Sequence, residues 1–253
     1  MHQPPNIHPD FALVRLGRTA MQNLPFARGA RFLRMLTVAL CLACCGLAWA
    51  GTATANGGLP AACRTRCISP FGTVLGVAGG VPAHSNCSAQ CVDLKPVKVN
   101  GVYTGIKWQC VEYARRWLLR HEGAVFADVD VAADIWNKID HLERVDHKGV
   151  IPLQNYPNGS SHPPSAGDLL IYARAYLGTG HVAVVTDVNL PAHAIKVAEQ
   201  NYFNRKYPGD YARKIALIEK NHRYWVLDSY VLGWKHANPE QANKLKRGHR
   251  HPH

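Results

Sequence analysis

With 8 cysteines and 14 histidines in the chain, residue type alone selects no reactive centre, so position has to. Val111, Ala114, Trp117 and Leu118 recur at helical spacing with Glu112, Arg115, Arg116 and Arg120 between them. This predicts an amphipathic helix from Cys110 to His121, closed by Gly123. Cys110 falls in its first turn. There the free backbone N–H groups and the positive end of the helix dipole favour a thiolate over a thiol of ordinary pKa about 8.5. The same N–H groups can hold the oxyanion of a tetrahedral intermediate. On helix position alone, the plain alternative is a buried core cysteine.

A partner for the thiol lies further along. Gly178-Thr179-Gly180-His181 opens a strand, and the small residues let backbone and substrate approach the ring. On the next strand, alternation places Ile195, Val197, Glu199 and Asn201 on one side and Lys196, Ala198 and Gln200 on the other. With the two strands side by side, Glu199 or Asn201 can accept from the imidazole, leaving its other nitrogen to take the thiol proton. Such a site performs acyl transfer and calls for no metal and no cofactor.

The elements that must position these groups follow from composition and pattern. The chain of 253 residues is 47% hydrophobic and 18% charged, which excludes a disordered polyelectrolyte. Its net charge of +12 is concentrated at the ends. Residues 1–55 carry Arg15, Arg18, Arg28, Arg31 and Arg34 against Asp10, and the chain from Lys235 onward carries five bases against Glu240. Docking of the basic tail on an anionic cell-wall surface is expected. No nucleic-acid partner is expected, because no basic motif interleaved with aromatics is present. Arg28, Arg31 and Arg34 precede an apolar run from Met35 to Ala50, with small residues at Ala48-Trp49-Ala50 and Ala53-Thr54-Ala55. Residues 1–55 therefore read as a secretory signal peptide, the run being shorter than the roughly 20 residues of a membrane span. A periplasmic or secreted monomer is expected, membrane-bound only if the leader stays uncleaved.

Export decides how the cysteines are read. Cys63-x3-Cys67 and Cys87-x3-Cys91 form an even set, which in an oxidising compartment means two disulfides, with zinc as the competing reading. Three connectivities are open; nesting Cys63 with Cys91 and Cys67 with Cys87 would staple the chain just before the helix of Cys110. The layout is a cap over 56–100 with one short strand near Gly72–Val77, a core over 101–235, and a basic, His-rich disordered tail over 236–253. In the core, a second helix is expected from Val131 to Asp140. Strands are expected at Asp168–Tyr172, His181–Val188 and Ala194–Glu199, with a last apolar stretch at Tyr224–Trp234. Helix first and strands after make an α+β fold.

Several ordered blocks carry a family resemblance: Gly105-Ile-Lys-Trp-Gln-Cys-Val-Glu-Tyr-Ala-Arg-Arg-Trp117, Pro164-Ser-Ala-Gly-Asp-Leu-Leu-Ile171, Gly180-His-Val-Ala-Val-Val-Thr186 and Val197-Ala-Glu-Gln-Asn201. From about Phe71 to Trp234 the chain resembles the CHAP amidase domain (cysteine, histidine-dependent amidohydrolase/peptidase), and within it the amidase halves of the bifunctional glutathionylspermidine and trypanothione synthetases. The resemblance implies a papain-like, NlpC/P60-type α+β fold, with the N-terminal helix that carries the cysteine packed on an antiparallel sheet. It also implies that Cys110 is the nucleophile, His181 the base and Glu199 its orienter, with Arg115, Asn201 and Gln109 touching substrate. The chain ends 19 residues after Trp234, so no ligase domain is expected. Exported members of the family cut peptidoglycan, which makes a peptidoglycan peptide the first expected substrate. Release of a polyamine from a glutathione conjugate is the alternative, and a catalytically inactive cell-wall-binding module is the non-enzymatic one.

Overall fold

The computed structural model describes residues 58–238. The expected signal peptide and the tail beyond Asn238 lie outside the described residues. Two hairpins come first, β1 (Val74–Ala78) with β2 (Val81–His84) and β3 (Pro96–Val99) with β4 (Val102–Ile106). The helix α1 (Cys110–Glu122) follows, then β5 (Ala124–Val125), a 3-10 turn at Ala132–Asp134 and the short α2 (Ile135–Lys138). The rest is strand: β6 (His141–Arg144), β7 (Val150–Pro157), β8 (Leu169–Tyr172), β9 (His181–Asn189), β10 (Ala194–Ala198), β11 (Arg213–Lys220), β12 (Arg223–Val226) and β13 (Val231–Ala237). The fold is mixed α and β, dominated by sheet. Among the described residues no helix is long and apolar enough to cross a membrane.

Nine strands pair antiparallel in the order β12-β11-β10-β9-β8-β13-β7-β6-β5. An isolated bridge between Ser160 and Tyr224 joins the chain just after β7 to β12, so the strands from β7 round to β12 close into a barrel. Closure buries the inner face of the central strands and α1 covers the outer one, so these strands are apolar on both faces rather than alternating. Leu170, Tyr172, Ala183, Val185, Ile195, Val197, Ile215 and Leu217 point into the barrel. Leu169, Ile171, Val182 and Val184 point out of it and form a second core with Tyr113, Ala114, Trp117 and Leu118 of α1.

The helix departs from simple amphipathicity. Glu112, Arg115 and Arg116, which its pattern assigns to a polar face, are all buried. They are tolerated because they are paired. Arg116 Nε donates to Glu112 Oε1 at 2.7 Å, and Thr104 and Gln200 donate to the same carboxylate. Gly123 takes the left-handed conformation at φ 59° and ends the helix. The second expected helix is cut to the 3-10 turn and the four residues of α2. Two carbonyls near its end are taken by side chains, Trp136 by Asn155 and Ile139 by Lys235, and Ile139 is already extended. The last apolar stretch divides into β12 and β13, and β13 continues through His236, which bonds Asp168, past the expected start of the tail. The cap holds a hairpin rather than one strand, and its expected boundary at residue 100 falls in the turn between β3 and β4.

The cap is joined by disulfides Cys63–Cys91 and Cys67–Cys87, and Cys110 is free. In the chain-entropy model a bridge over loops of this size contributes roughly 3 kcal/mol. Cys67→Ser/Cys87→Ser is therefore expected to lose about that much stability in urea unfolding. A variant as stable as the parent would mean that the cap holds without its inner staple.

Candidate active site

The inward-facing positions of four neighbouring strands change character at one end of the barrel, from aliphatic to polar. Tyr172 ends β8 and His181 begins β9, paired with each other; Glu199 follows β10 and Arg213 begins β11. Arg213 follows the same period as Ile215 and Leu217 on its strand. Gly180 makes the approach to His181 possible. It sits at φ +71°, and a Cβ there would lie 2.6 Å from the Tyr172 carbonyl oxygen and 2.8 Å from the Ala133 methyl.

His181 is 1% exposed, and its Nε2 lies 2.8 Å from Glu199 Oε2. A carboxylate only accepts, so Nε2 carries the hydrogen and Nδ1 is left for the thiol. The first residue of α1 brings that thiol in beside His181, whose influence it feels together with that of the backbone N–H groups of Val182 and Val111. Burial works to raise the Cys110 thiol, but the charge and hydrogen bond of His181 outweigh it, with those two N–H groups, and the thiol falls below its ordinary value. Burial likewise works against a charged His181; the Cys110 and Glu199 charges overcome it and lift the imidazole to about 9. Glu199 is held below the usual carboxylate range, because His181 and Arg213 outweigh its burial. The three directions agree on a thiolate, an imidazolium and a carboxylate in series, which is the arrangement for nucleophilic attack followed by proton return.

Two residues that sequence reasoning missed hold Glu199. Arg213 Nε donates to Oε1 at 2.5 Å and Nη2 to Oε2 at 3.2 Å. The Tyr207 hydroxyl accepts from the Glu199 N–H at 2.9 Å and donates to its carbonyl at 2.5 Å. Period-two alternation with Ile215 and Leu217 would have marked Arg213 as inward-facing. Tyr207 has no such signal, since it lies in an irregular loop and depends on Gly76, where a Cβ would stand 2.4 Å from its ring.

The expected substrate contacts separate. Asn201 does not share the Glu199 face, because β10 stops at Ala198 and Asn201 is left-handed at φ 56°. Its Nδ2 donates to Gln109 Oε1 at 2.7 Å, and its Oδ1 accepts from Asn86 Nδ2 at 2.9 Å. Asn86, buried in the cap, also donates to the Cys91 carbonyl and receives Gln109 Nε2 at 3.4 Å. The disulfide cap thus fixes the rim beside Cys110 through a residue with no sequence signature. Arg115 does not line the cleft. Its guanidinium lies behind the wall, on Asp128 at 3.0 Å and the Tyr103 carbonyl at 3.0 Å.

Cys110 and His181 open into a cleft of about 510 Å³, with Gln90 and Val92 of the cap on its lining together with Tyr103, Asp128, Asp130, Tyr176, Gln109 and Asn201. No lysine or arginine is among the described residues that line it, in a chain of net charge +12.

Comparison with known proteins agrees with this geometry. Residues 101–201 match the CHAP domain family. The chain is 35% identical over 182 residues to bifunctional glutathionylspermidine synthetase/amidase of Escherichia coli (strain K12), covering 66% of this chain and 29% of that protein. It is 34% identical over 174 residues to trypanothione synthetase of Crithidia fasciculata, covering 65% of this chain and 26% of that one. The chain therefore matches less than a third of the length of either relative. A thiol at the head of a buried helix, a histidine on the neighbouring strand and the matched residues that contain both lead to one assignment: residues 101–201 are a CHAP domain.

Proposed function

We propose that the protein is a thiol amidohydrolase of papain-like arrangement, in which Cys110 is the nucleophile, His181 the general acid and base, and Glu199 the group that orients the ring. The observation that carries this reading is that Cys110 and His181 line one cleft and act on each other electrostatically, with His181 Nε2 bonded to Glu199 behind them. The thiolate attacks an amide carbonyl, and the N–H groups of the first helical turn receive the oxyanion. His181 then passes its Nδ1 proton to the leaving amine, and a water activated by the same ring hydrolyses the thioester. Gln109 and Asn201, locked to each other and to the cap, present the rim against which the substrate backbone is held.

The cleft supports an amide whose flanks carry protonated amines. Asp130 is exposed on its lining, Asp128 stands nearby in its ion pair with Arg115, and lysine and arginine are absent from the described lining. A polyamine–peptide amide fits that charge, and glutathionylspermidine appears in the name of a relative with 35% identity. Peptidoglycan peptides are the second reading. The stapled cap favours it, because two disulfides belong to an oxidising, extracytoplasmic setting. Incubation with glutathionylspermidine and with muropeptides, read by mass spectrometry, separates the two. Polyamine release supports the first and cut muropeptides the second.

Cys110→Ala is expected to abolish turnover while leaving the thermal melt close to that of the parent; retained turnover would end the mechanism. For the parent protein, kcat/KM against pH is expected to show an alkaline limb near 9, where His181 gives up its proton, and an acid limb below the free-thiol value. A single rise near pH 8.5, as for an unassisted thiol, would contradict the ion pair. Asp130→Asn is expected to raise KM for a polyamine amide by roughly two- to five-fold with kcat unchanged, the range of an exposed charge pair. An unchanged KM would remove the electrostatic argument for a cationic substrate.

A further inference from the structure

Arg213 lies outside residues 101–201, yet four side-chain hydrogen bonds behind the site converge on it. Its guanidinium makes four hydrogen bonds and stacks one face on a ring. The Nε and Nη2 groups grip both oxygens of Glu199, Nη1 donates to Asp228 Oδ2 at 2.6 Å, and Nη2 donates to the Tyr172 hydroxyl at 2.8 Å. The Tyr172 hydroxyl in turn donates to Asp228 Oδ2 at 2.7 Å. The ring of Tyr202 covers the flat face, its centroid 4.0 Å from Cζ. Two rotatable groups, the Glu199 carboxylate and the Arg213 fork, are thereby held in one orientation by five hydrogen bonds and a stacked ring.

That arrangement exceeds what packing requires. A carboxylate buried beside an imidazole can take up a proton, and then it neither orients the ring nor stabilises its charge. A guanidinium cannot lose its proton, so it is the one partner that keeps the carboxylate charged at every working pH. It also cancels much of the negative field that Glu199 would otherwise exert on a thiolate beyond the ring.

We propose that Arg213 is a positioning residue of the active site: its permanent charge keeps Glu199 ionised beside His181 and, through that pair, favours the thiolate of Cys110. This rests on the reading of Cys110 and His181 as the reacting pair. The charged and titratable groups facing Glu199 and His181 are Cys110 and Tyr113 from α1, Tyr172 from β8, Tyr176, Tyr202 and Tyr207 from the loops, Asp228 after β12, and Arg213 itself. The tyrosines are all pushed above their ordinary value, chiefly by burial, and stay neutral. Among these groups Arg213 is the permanent cation and Asp228 the outer anion. Losing Arg213 has the same sign by either route. An unscreened Glu199 opposes the thiolate, and a protonated Glu199 leaves the imidazolium less stable, so in both cases the thiolate forms at higher pH.

The test is the pH dependence of Cys110 alkylation by iodoacetamide, which reads the thiolate without turnover. Arg213→Gln is expected to move the midpoint up by about one unit or more, and Arg213→Lys, which keeps the charge and loses the fork, to leave it close to the parent. A residue that only packs would lower the melting temperature in both variants and leave both midpoints in place, and that result overturns the proposal. Equal upward shifts in both variants also overturn it, because the charge would then not be the agent. If Arg213→Gln does not fold, Asp228→Asn carries the test. Removing the outer anion is expected to lower the midpoint, and an unchanged or higher value counts against Arg213. A parent midpoint at the free-thiol value would instead fell the underlying reading of Cys110.

Discussion

The organisation of this molecule depends on one buried negative charge. Glu199 is 3% exposed, and a carboxylate in that position either meets cations or takes up a proton. Here it meets two, His181 on one oxygen and Arg213 on both. Each needs a partner of its own, which extends the series to the Cys110 thiol at one end and to Asp228 and Tyr172 at the other. Alternating charges in a medium of low dielectric hold one another far more firmly than exposed pairs would. Removing one member is costly because its neighbour is left buried and unpaired. The barrel supplies the scaffold: its inward face is aliphatic along most of its length and becomes polar only at the end where α1 arrives.

Three parts of the chain divide the work of building the site. The sheet positions His181, Glu199 and Arg213 in a register that antiparallel pairing keeps rigid. The helix presents Cys110 where backbone N–H groups are free, and it is itself anchored by the buried pair of Glu112 with Arg116 and by Arg115, which reaches out to the exposed Asp128. The disulfide cap sets the rim, through Asn86 to Gln109 and Asn201, and contributes Gln90 and Val92 to the cleft. It also reaches the far side of the site, since Leu75 of β1 accepts from the Tyr207 N–H and Gly76 leaves room for the ring that clamps Glu199. A thiol and two disulfides thus coexist within one small domain, and pairing within the cap leaves Cys110 as the free cysteine of the described residues.

Local patterns in the sequence revealed the parts of this arrangement that rest on local physics. The start of α1, its glycine stop, the strand that His181 opens and the inward position of Glu199 all follow from periodicity. Asn201 did not follow, because extending an alternation beyond Ala198 assumes that the strand continues, and a left-handed residue breaks it. The polar face assigned to α1 was misplaced for another reason: Glu112 and Arg116 are buried through Gln200, 88 residues from Glu112, which no helical pattern records. The helix expected from Val131 to Asp140 was shortened by side chains from β7 and β13 that claim its carbonyls. Arg213 was within reach of the same period-two reading that placed Glu199. Tyr207 and Asn86 were not, since each acts from a loop through contacts distant in sequence.

The central claim is that an amide passes through a thioester on Cys110, and intact-mass spectrometry of protein mixed with substrate and quenched in acid tests it most directly. The account predicts a transient mass increase equal to the acyl half of the substrate, mapped by proteolysis to the peptide containing Cys110. Product formation with no adduct at any quench time, or an adduct on another residue, would contradict it.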